Sequence, residues 1–359
     1  MFTDVPQPAV IVLTPNLAGR DGVSRLARLV TRALGRVTVI ALHEPAAMTT
    51  FEHADVRGGD GSTARFVAAA VRGAASADAQ TTVIAVHLHL SPAALAFTAR
   101  GAALTTLLCG VEAWKPLTWM QRAAIDRTDR LIAISAHTRD RFRSANPPFA
   151  TRAIDVCHLG IEDAGGSGVA LDRRPMALIV GRMASDERYK GHDQLLEVWP
   201  DVRRAVPDAA LHVVGEGDDR PRLEDKAAAL GLQNSVRFLG RVDDDMLERE
   251  YDRCTAFVMP SRDEGFGFVF VEAMRAGRAC IASRGAAAEI VDDGVSGLLV
   301  DPSDRDQLIR SVVRLLERPV EADRMGARAR ARFLRDFTEA KFRERFTALM
   351  DARVPALVE

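Results

Sequence analysis

A chain of 359 residues is long enough for two domains of ~100–200 residues each. Its 47% hydrophobic and 27% charged composition is that of a soluble globular enzyme able to bury its apolar surface without disulfide staples. The net charge of −1 is unevenly divided: residues 1–160 hold 17 Lys+Arg against 12 Asp+Glu, and residues 161–359 hold 31 against 37. The mildly basic first half either suits an anionic partner, such as a phospholipid surface or a lipid diphosphate, or is scattered Arg on a solvated surface. Nothing points to a nucleic-acid partner. The four cysteines form no CxxC pair and have no His at metal-ligand spacing, so free thiols in a reducing cytoplasm are expected. The N-terminus lacks a basic region followed by an apolar core and a cleavage site, so no signal peptide is expected. No apolar run approaches ~18 residues, which excludes a transmembrane helix.

In chain order, residues 9–13 read as a strand ending in Thr-Pro-Asn, and 23–34 as a helix. Strands follow at 37–42 and 82–87, then an Ala-rich helix from Pro92, then strands at 104–108, 130–134 and 153–157. The alternation predicts a parallel sheet with helices on both faces. The Gly-rich, polar stretch 160–174 reads as a linker. The alternation then restarts, with strands at 176–180, 210–214, 236–239, 255–259, 279–282 and 297–300 and helices at 191–205, 221–230 and 267–276. From Asp304 the chain reads as helical, and Phe342, Phe346 and Leu349 form an apolar stripe that needs a partner. The expected fold class is α/β: two parallel sheets in tandem, with ligand sites at strand C-termini facing an interdomain cleft.

The strongest motif is 261–273, SRDEGFGFVFVEA, which follows the apolar strand TAFVMP. A strand ends, a turn carrying Gly265, Phe266 and Gly267 follows, and a helix begins near Phe268. Backbone N–H groups at such a junction hold a sugar or phosphate. Glu264 in the turn can accept from sugar hydroxyls, and Glu272, one turn into the helix, can reach a ribose diol or sit on the helix surface. In VGRMASDERYKGHD, Arg182 lies just past a strand and Lys190 just before a helix. Two cations there suit a nucleoside diphosphate and its departing charge, or form surface ion pairs. Gly19 and Gly22 follow the first strand and allow close backbone approach or a tight turn. His87 and His89 fall on one side if their strand runs through them. Glu112 and Trp114 follow another strand in CGVEAW, and Trp119 lies just beyond. No HExxH occurs, and Asp243, Asp244 and Asp245 read as a helix cap and first-turn charge, so no metal site is expected.

The pairing of GRM…ERYKGHD with EGFGFVFVEA resembles the retaining GT-B glycosyltransferases of family 4, the group 1 glycosyl transferases. Their signature is Glu, seven residues, Glu, with an upstream Arg and Lys. The resemblance runs in order along nearly the whole chain and is most specific over 176–300. It implies two Rossmann-like domains, an acceptor domain at 1–165 and a donor domain at 166–338, with a helix in 339–359 crossing back to the first. It implies that Glu264 contacts the donor sugar, Glu272 the ribose, and Arg182 and Lys190 the diphosphate. The loop of Gly19 and Gly22 would face donor phosphates and acceptor. His87 or His89 would lie near the donor sugar; His87 is preferred, because members with a single His carry it five residues before the Pro. His89, Glu112 and Trp114 would line the acceptor side. The implied reaction is transfer from a nucleoside-diphosphate sugar, UDP-glucose first and GDP-mannose second, to a glycan or lipid-linked hydroxyl in bacterial polysaccharide or glycoconjugate synthesis. It would need no metal or other cofactor and would run in the cytoplasm; the basic first half and the stretch from Trp114 to Arg122, which mixes aromatics with cations, predict peripheral contact with an anionic membrane, the rival being a soluble enzyme with a small acceptor. A sugar-nucleotide epimerase of the same architecture is the nearest alternative. A NAD-dependent dehydrogenase lacks support because the first turn has no GxGxxG, and a bilobal sugar-binding protein is the non-enzyme alternative.

Overall fold

The structure, a computed structural model, describes residues 9–163 and 174–351. Most of the linker expected at 160–174, and residues 352–359 of the expected terminal segment, lie outside the described residues. The chain forms two compact units: residues to Leu159 together with those from Glu339 onward, and Gly160–Thr338.

In the first unit β1 (Val10–Thr14), β2 (Val37–Ala41), β3 (Thr50–Phe51), β4 (Ala54–Gly58), β5 (Thr82–Ala85), β6 (Ala103–Leu108), β7 (Arg130–Ala133) and β8 (Asp155–Val156) make one sheet. Their order is β3-β4-β2-β1-β5-β6-β7-β8. All neighbours are parallel except β3, which runs antiparallel to β4. Val12 of β1 pairs with Val39 on one side and Ile84 on the other, and all three are fully buried. Strands covered on both faces read as unbroken apolar runs, which is why they are visible in the sequence. The covering helices are α1 (Gly22–Leu34), α2 (Thr63–Ala74), α3 (Ser91–Thr98), α4 (Trp119–Asp126) and α5 (Ala136–Ala145). The sequence reading passes over α2, α4 and α5, although each begins at a capping side chain: Ser62 for α2, a Thr118–Gln121 capping box for α4 and Ser135 for α5. The strand expected at 82–87 stops at Ala85. There His87 turns the chain, its Nδ1 accepting from the His89 N–H at 3.3 Å and capping a 3₁₀ turn over Leu88–Leu90.

In the second unit β9 (Met176–Val180), β10 (Ala210–Val214), β11 (Val236–Gly240), β12 (Ala256–Met259), β13 (Ala279–Ser283) and β14 (Gly297–Val300) form an all-parallel sheet. Their order is β11-β10-β9-β12-β13-β14. Its helices are α6 (His192–Ala205), α7 (Arg220–Ala229), α8 (Asp244–Arg253), α9 (Phe268–Arg275), α10 (Arg305–Glu317) and α11 (Pro319–Asp336). Asp243 caps α8 through the Met246 N–H, as expected of the acidic triplet. The stretch expected to be helical from Asp304 comprises three helices. Pro319 opens α11, where its missing N–H costs no intrahelical bond, and α12 (Glu339–Asp351) follows.

α12 groups with the first unit and packs along α1. Phe342 and Phe346 stack at 5.3 Å and are fully buried. Arg32 of α1 donates to Glu339 at 3.1 Å, and Arg345 donates to the His158 carbonyl at 2.8 Å. Truncating a buried aromatic leaves a cavity that its neighbours fill only in part. Phe346→Ala is therefore expected to cost ~3–5 kcal/mol, read as a drop in the urea midpoint of the first unit. An unmoved midpoint would mean that α12 is not integral to that unit.

Candidate active site

Both sheets reverse their strand order once, between β1 and β5 in the first unit and between β9 and β12 in the second. Crossover connections leave opposite faces of a parallel sheet on either side of such a point, so the strand C-termini there are uncovered and form the ligand crevice. The second unit places its expected residues at this crevice. Arg182 follows β9, and Glu264 and Glu272 lie on the loop after β12 and on α9.

The two loops are locked together. Gly191, with φ +92°, begins α6, and a Cβ there would lie 2.8 Å from Pro260. The Tyr189 carbonyl accepts from the Arg262 N–H at 2.9 Å. Lys190 is thereby carried beside the turn of Glu264. Gly267, with φ +99°, precedes α9, and a Cβ there would lie 2.7 Å from the Phe270 ring. Phe266, whose turn is expected to meet the donor through backbone N–H groups, has its side chain buried against Phe268 and Phe337.

A residue not anticipated from sequence, Glu187, sits between the two cations. Its carboxylate accepts from the Arg182 guanidinium through both oxygens and lies 3.5 Å from Lys190 Nζ. Burial works against that carboxylate, but Arg182 and Lys190 outweigh it and hold its pKa below the ordinary value. Glu264 is half-buried, and the cost of desolvation pushes its pKa up against the pull of Lys190. Glu272 is not a surface residue: it is buried, and its Oε2 accepts from the Tyr251 hydroxyl at 2.8 Å.

In the first unit the loop after β1 is pinned from two sides. Buried Glu44 accepts from the Leu17 and Ala18 N–H groups at 2.6 and 2.7 Å, and Arg28 donates to the Leu17 and Gly19 carbonyls at 2.6 and 2.7 Å. Gly19 has no room for a side chain, since a Cβ would lie 2.4 Å from Asn16 Nδ2 and 2.5 Å from Ser24 Oγ. Gly22 is the first residue of α1, whose N-terminus Asp21 caps through the Val23 and Ser24 N–H groups, both at 3.0 Å.

After β5 and β6 come His87, His89 and Glu112. The imidazole rings of His87 and His89 meet edge to face at 4.9 Å, and His87 Nε2 is 4.0 Å from Glu112 Oε2. Glu112 Oε1 accepts from the Cys109 and Gly110 N–H groups at 2.7 and 3.2 Å. Burial, helped by His89, lowers the His87 pKa to about 4. Burial also raises that of Glu112. The His87 imidazole is therefore neutral near pH 7. Trp114 packs edge-on to His137 at 5.4 Å beneath Arg141, whereas Trp119 is 79% exposed. Among the described residues, no cluster of three or more His, Cys, Asp or Glu could hold a metal.

Residues 174–318 match the family model described as glycosyl transferases group 1. The chain is 33% identical over 221 residues to a GDP-mannose-dependent alpha-(1-6)-phosphatidylinositol monomannoside mannosyltransferase of Mycolicibacterium smegmatis, covering 56% of each chain. It is 32% identical over 241 residues to the glycogen synthase of Mycobacterium tuberculosis, covering 66% of this chain and 55% of that one. The chain thus spans little more than half the length of these curated relatives. Its fold matches that of Anabaena HepE, solved with UDP and glucose, at a TM-score of 0.77 and 20% identity over 95% of this chain and 99% of that one. The fold is GT-B, with two Rossmann-like units.

The second unit braces its cationic loop with a charge network. Asp219, buried, accepts from Arg188 at 2.8 Å and from Arg222 at 2.6 Å. Arg222 in turn grips both oxygens of Asp193 at 2.7 and 2.8 Å, which also accepts from Lys226 at 2.6 Å. Arg222 first, opposed by burial and supported by Lys226, lowers the Asp193 pKa to about 2. A carboxylate depressed on folding contributes stability above its unfolded pKa of ~3.9 and loses it as pH falls towards the folded value. The stability gap between the wild type and Asp193→Asn is therefore expected to be constant above about pH 5 and to close between about pH 4 and pH 2. A pH series of urea unfolding curves in which the gap stayed level down to pH 2 would remove this role.

Proposed function

We propose that the protein is a retaining hexosyltransferase, moving a sugar from a nucleoside-diphosphate sugar to a hydroxyl of a glycan or lipid-linked acceptor in polysaccharide or glycoconjugate synthesis. The observation that carries this reading is the meeting, at one switch point, of the loop bearing Arg182 and Lys190 with the loop bearing Glu264. Two fixed cations suit a diphosphate, and a carboxylate beside them suits sugar hydroxyls. On this reading the bond from the anomeric carbon to the β-phosphate oxygen breaks, and the acceptor oxygen bonds to that carbon on the same face. The acceptor proton passes to the departing diphosphate, so no metal and no enzymic nucleophile is required. Arg182 and Lys190 stabilise the charge that develops on the leaving group. His87, neutral, offers the donor sugar a hydrogen bond without adding charge, and His89, Glu112 and Trp114 belong to the acceptor side.

UDP-glucose and GDP-mannose are the donors to test first. The second gains support from the mannosyltransferase relative at 33% identity. A thermal-shift screen of UDP, GDP and their sugar conjugates separates them, since a ligand at ~100 times its Kd adds ~2.7 kcal/mol of stability. Lys190→Ala and Glu272→Ala are expected to weaken nucleotide binding, with Lys190→Ala also lowering turnover by ~10²–10³. Glu264→Ala is expected to lower turnover while leaving free-nucleotide affinity near the wild-type value. Calorimetry that found unchanged affinity in both of the first two variants would refute the site.

No helix among the described residues is long and apolar enough to cross a membrane. The proposed membrane contact is peripheral, at the cytoplasmic face, through the start of α4. There Trp119 and Met120 are 79% and 46% exposed, beside Lys115 and Arg122 in sequence. Each well-placed cation near an anionic bilayer gains ~1 kcal/mol, which salt screens. Co-sedimentation with anionic liposomes is expected at low salt and not at high salt, and Trp119→Ala is expected to reduce it. Equal, negligible binding to anionic and neutral liposomes would leave a small, water-soluble acceptor as the better reading.

A further inference from the structure

Glu272 lies in the second turn of α9, buried, where a carboxylate on a short helix has several rotamers open to it and only some that turn towards the crevice. Its Oε2 accepts from the Tyr251 hydroxyl at 2.8 Å. Tyr251 sits in the last turn of α8 and is 1% exposed. Its ring is held by Phe257 at 5.8 Å, and Phe257 by Phe270 at 5.3 Å, so three aromatic side chains from α8, β12 and α9 fix where the hydroxyl points. The same hydroxyl lies 3.3 Å from the Val269 carbonyl, a longer and weaker contact than the one to the carboxylate. A phenol has one proton to give, and the shorter, charged acceptor takes it.

We infer that Tyr251 is a positioning residue for nucleotide recognition: it fixes the Glu272 carboxylate so that a ribose diol meets an acceptor already in place. The inference rests on Glu272 being the ribose acceptor. The energetic logic is preorganisation. A carboxylate whose rotamer is set before binding loses less freedom when the ligand arrives, and the gain falls on the ribose hydroxyls alone. Because the ribose is remote from the bond being broken, the gain is the same in the ground and transition states, so it enters KM and leaves kcat alone.

The test compares UDP and GDP with their 2′-deoxy and 3′-deoxy counterparts by calorimetry, using wild type, Tyr251→Phe, Glu272→Ala and the double variant. For whichever base binds, the wild type is expected to prefer the ribonucleotide, and Glu272→Ala to abolish that preference. Tyr251→Phe, which removes one oxygen and keeps the ring, is expected to shrink the preference about two- to tenfold, the cost of ordering one side chain on binding. It should raise donor KM by a similar factor with kcat within about twofold, and should add nothing in the Glu272→Ala background. If Tyr251→Phe leaves the ribose preference at its wild-type value, or weakens ribo- and deoxynucleotides equally, the positioning role is overturned while the ribose reading of Glu272 stands. If Glu272→Ala itself keeps the preference, the ribose reading falls and the role of Tyr251 with it.

Discussion

The reversal of strand order between β9 and β12 is the constraint on which the site depends. Right-handed crossovers send the helices after these two strands to opposite faces, so no helix closes over the strand ends between them. The loops there must come close without side chains in the way. A Cβ at Gly215, after β10, would stand 2.0 Å from the Gly181 carbonyl oxygen, and one at Gly191 would strike Pro260. Backbone rather than side chain thus sets how near the cationic loop lies to the Glu264 turn. The charged groups inherit their positions from that contact.

Given those positions, charge compensation decides the state of each group. Glu187 offsets one of the two positive charges of Arg182 and Lys190 within the loop, so a diphosphate entering as proposed would compete with a single carboxylate for both cations. A diphosphate carries more negative charge than that carboxylate and has several oxygens to offer in its place. At the matching strand ends of the first unit the balance is different. His87 is held neutral by burial, the Glu112 carboxyl is pushed up, and the Cys109 thiol, donating to the Val86 carbonyl at 2.9 Å, is pushed well above its usual range. At His87 that end of the sheet offers a hydrogen-bonding group without positive charge.

The parts legible in the sequence are those whose cause is local. Buried parallel strands betray themselves as apolar runs, as in Met176–Val180, and a strand-end glycine turn betrays itself by composition, as around Gly265 and Gly267. What stayed hidden is set by partners distant in the chain. Glu44 pins a loop 27 residues before it, and Tyr251 reaches Glu272 across 21 residues, and neither has any signature in its own neighbourhood. Glu187 lies close to both cations in sequence, but spacing alone does not show that a loop folds its carboxylate back between them. The burial of the Phe266 side chain has a related cause. Which way it points follows from the positive φ at Gly267, and the ring it meets, Phe337, comes from beyond α11. The breaks within the helical tail depend on Pro319 and on the bridge of Thr338 to Ile161, not on a lapse in helical periodicity.

The first unit bears on phosphate recognition through what occupies the start of α1. A helix N-terminus attracts anions because its first N–H groups lack intrahelical partners and carry partial positive charge. Here Asp21 already accepts from two of those groups and also from the Ser24 hydroxyl. Burial opposes the Asp21 carboxylate, but these hydrogen bonds outweigh it and keep its pKa below the ordinary value, so the cap is an anion near neutral pH. A phosphate approaching this end would meet like charge and donors already taken. The loop of Gly19, rigid between Glu44 and Arg28, is therefore better suited to shaping a site than to holding charge. The switch point of the second unit, by contrast, sets the side chains of two cations, Arg182 and Lys190, beside one carboxylate, Glu187.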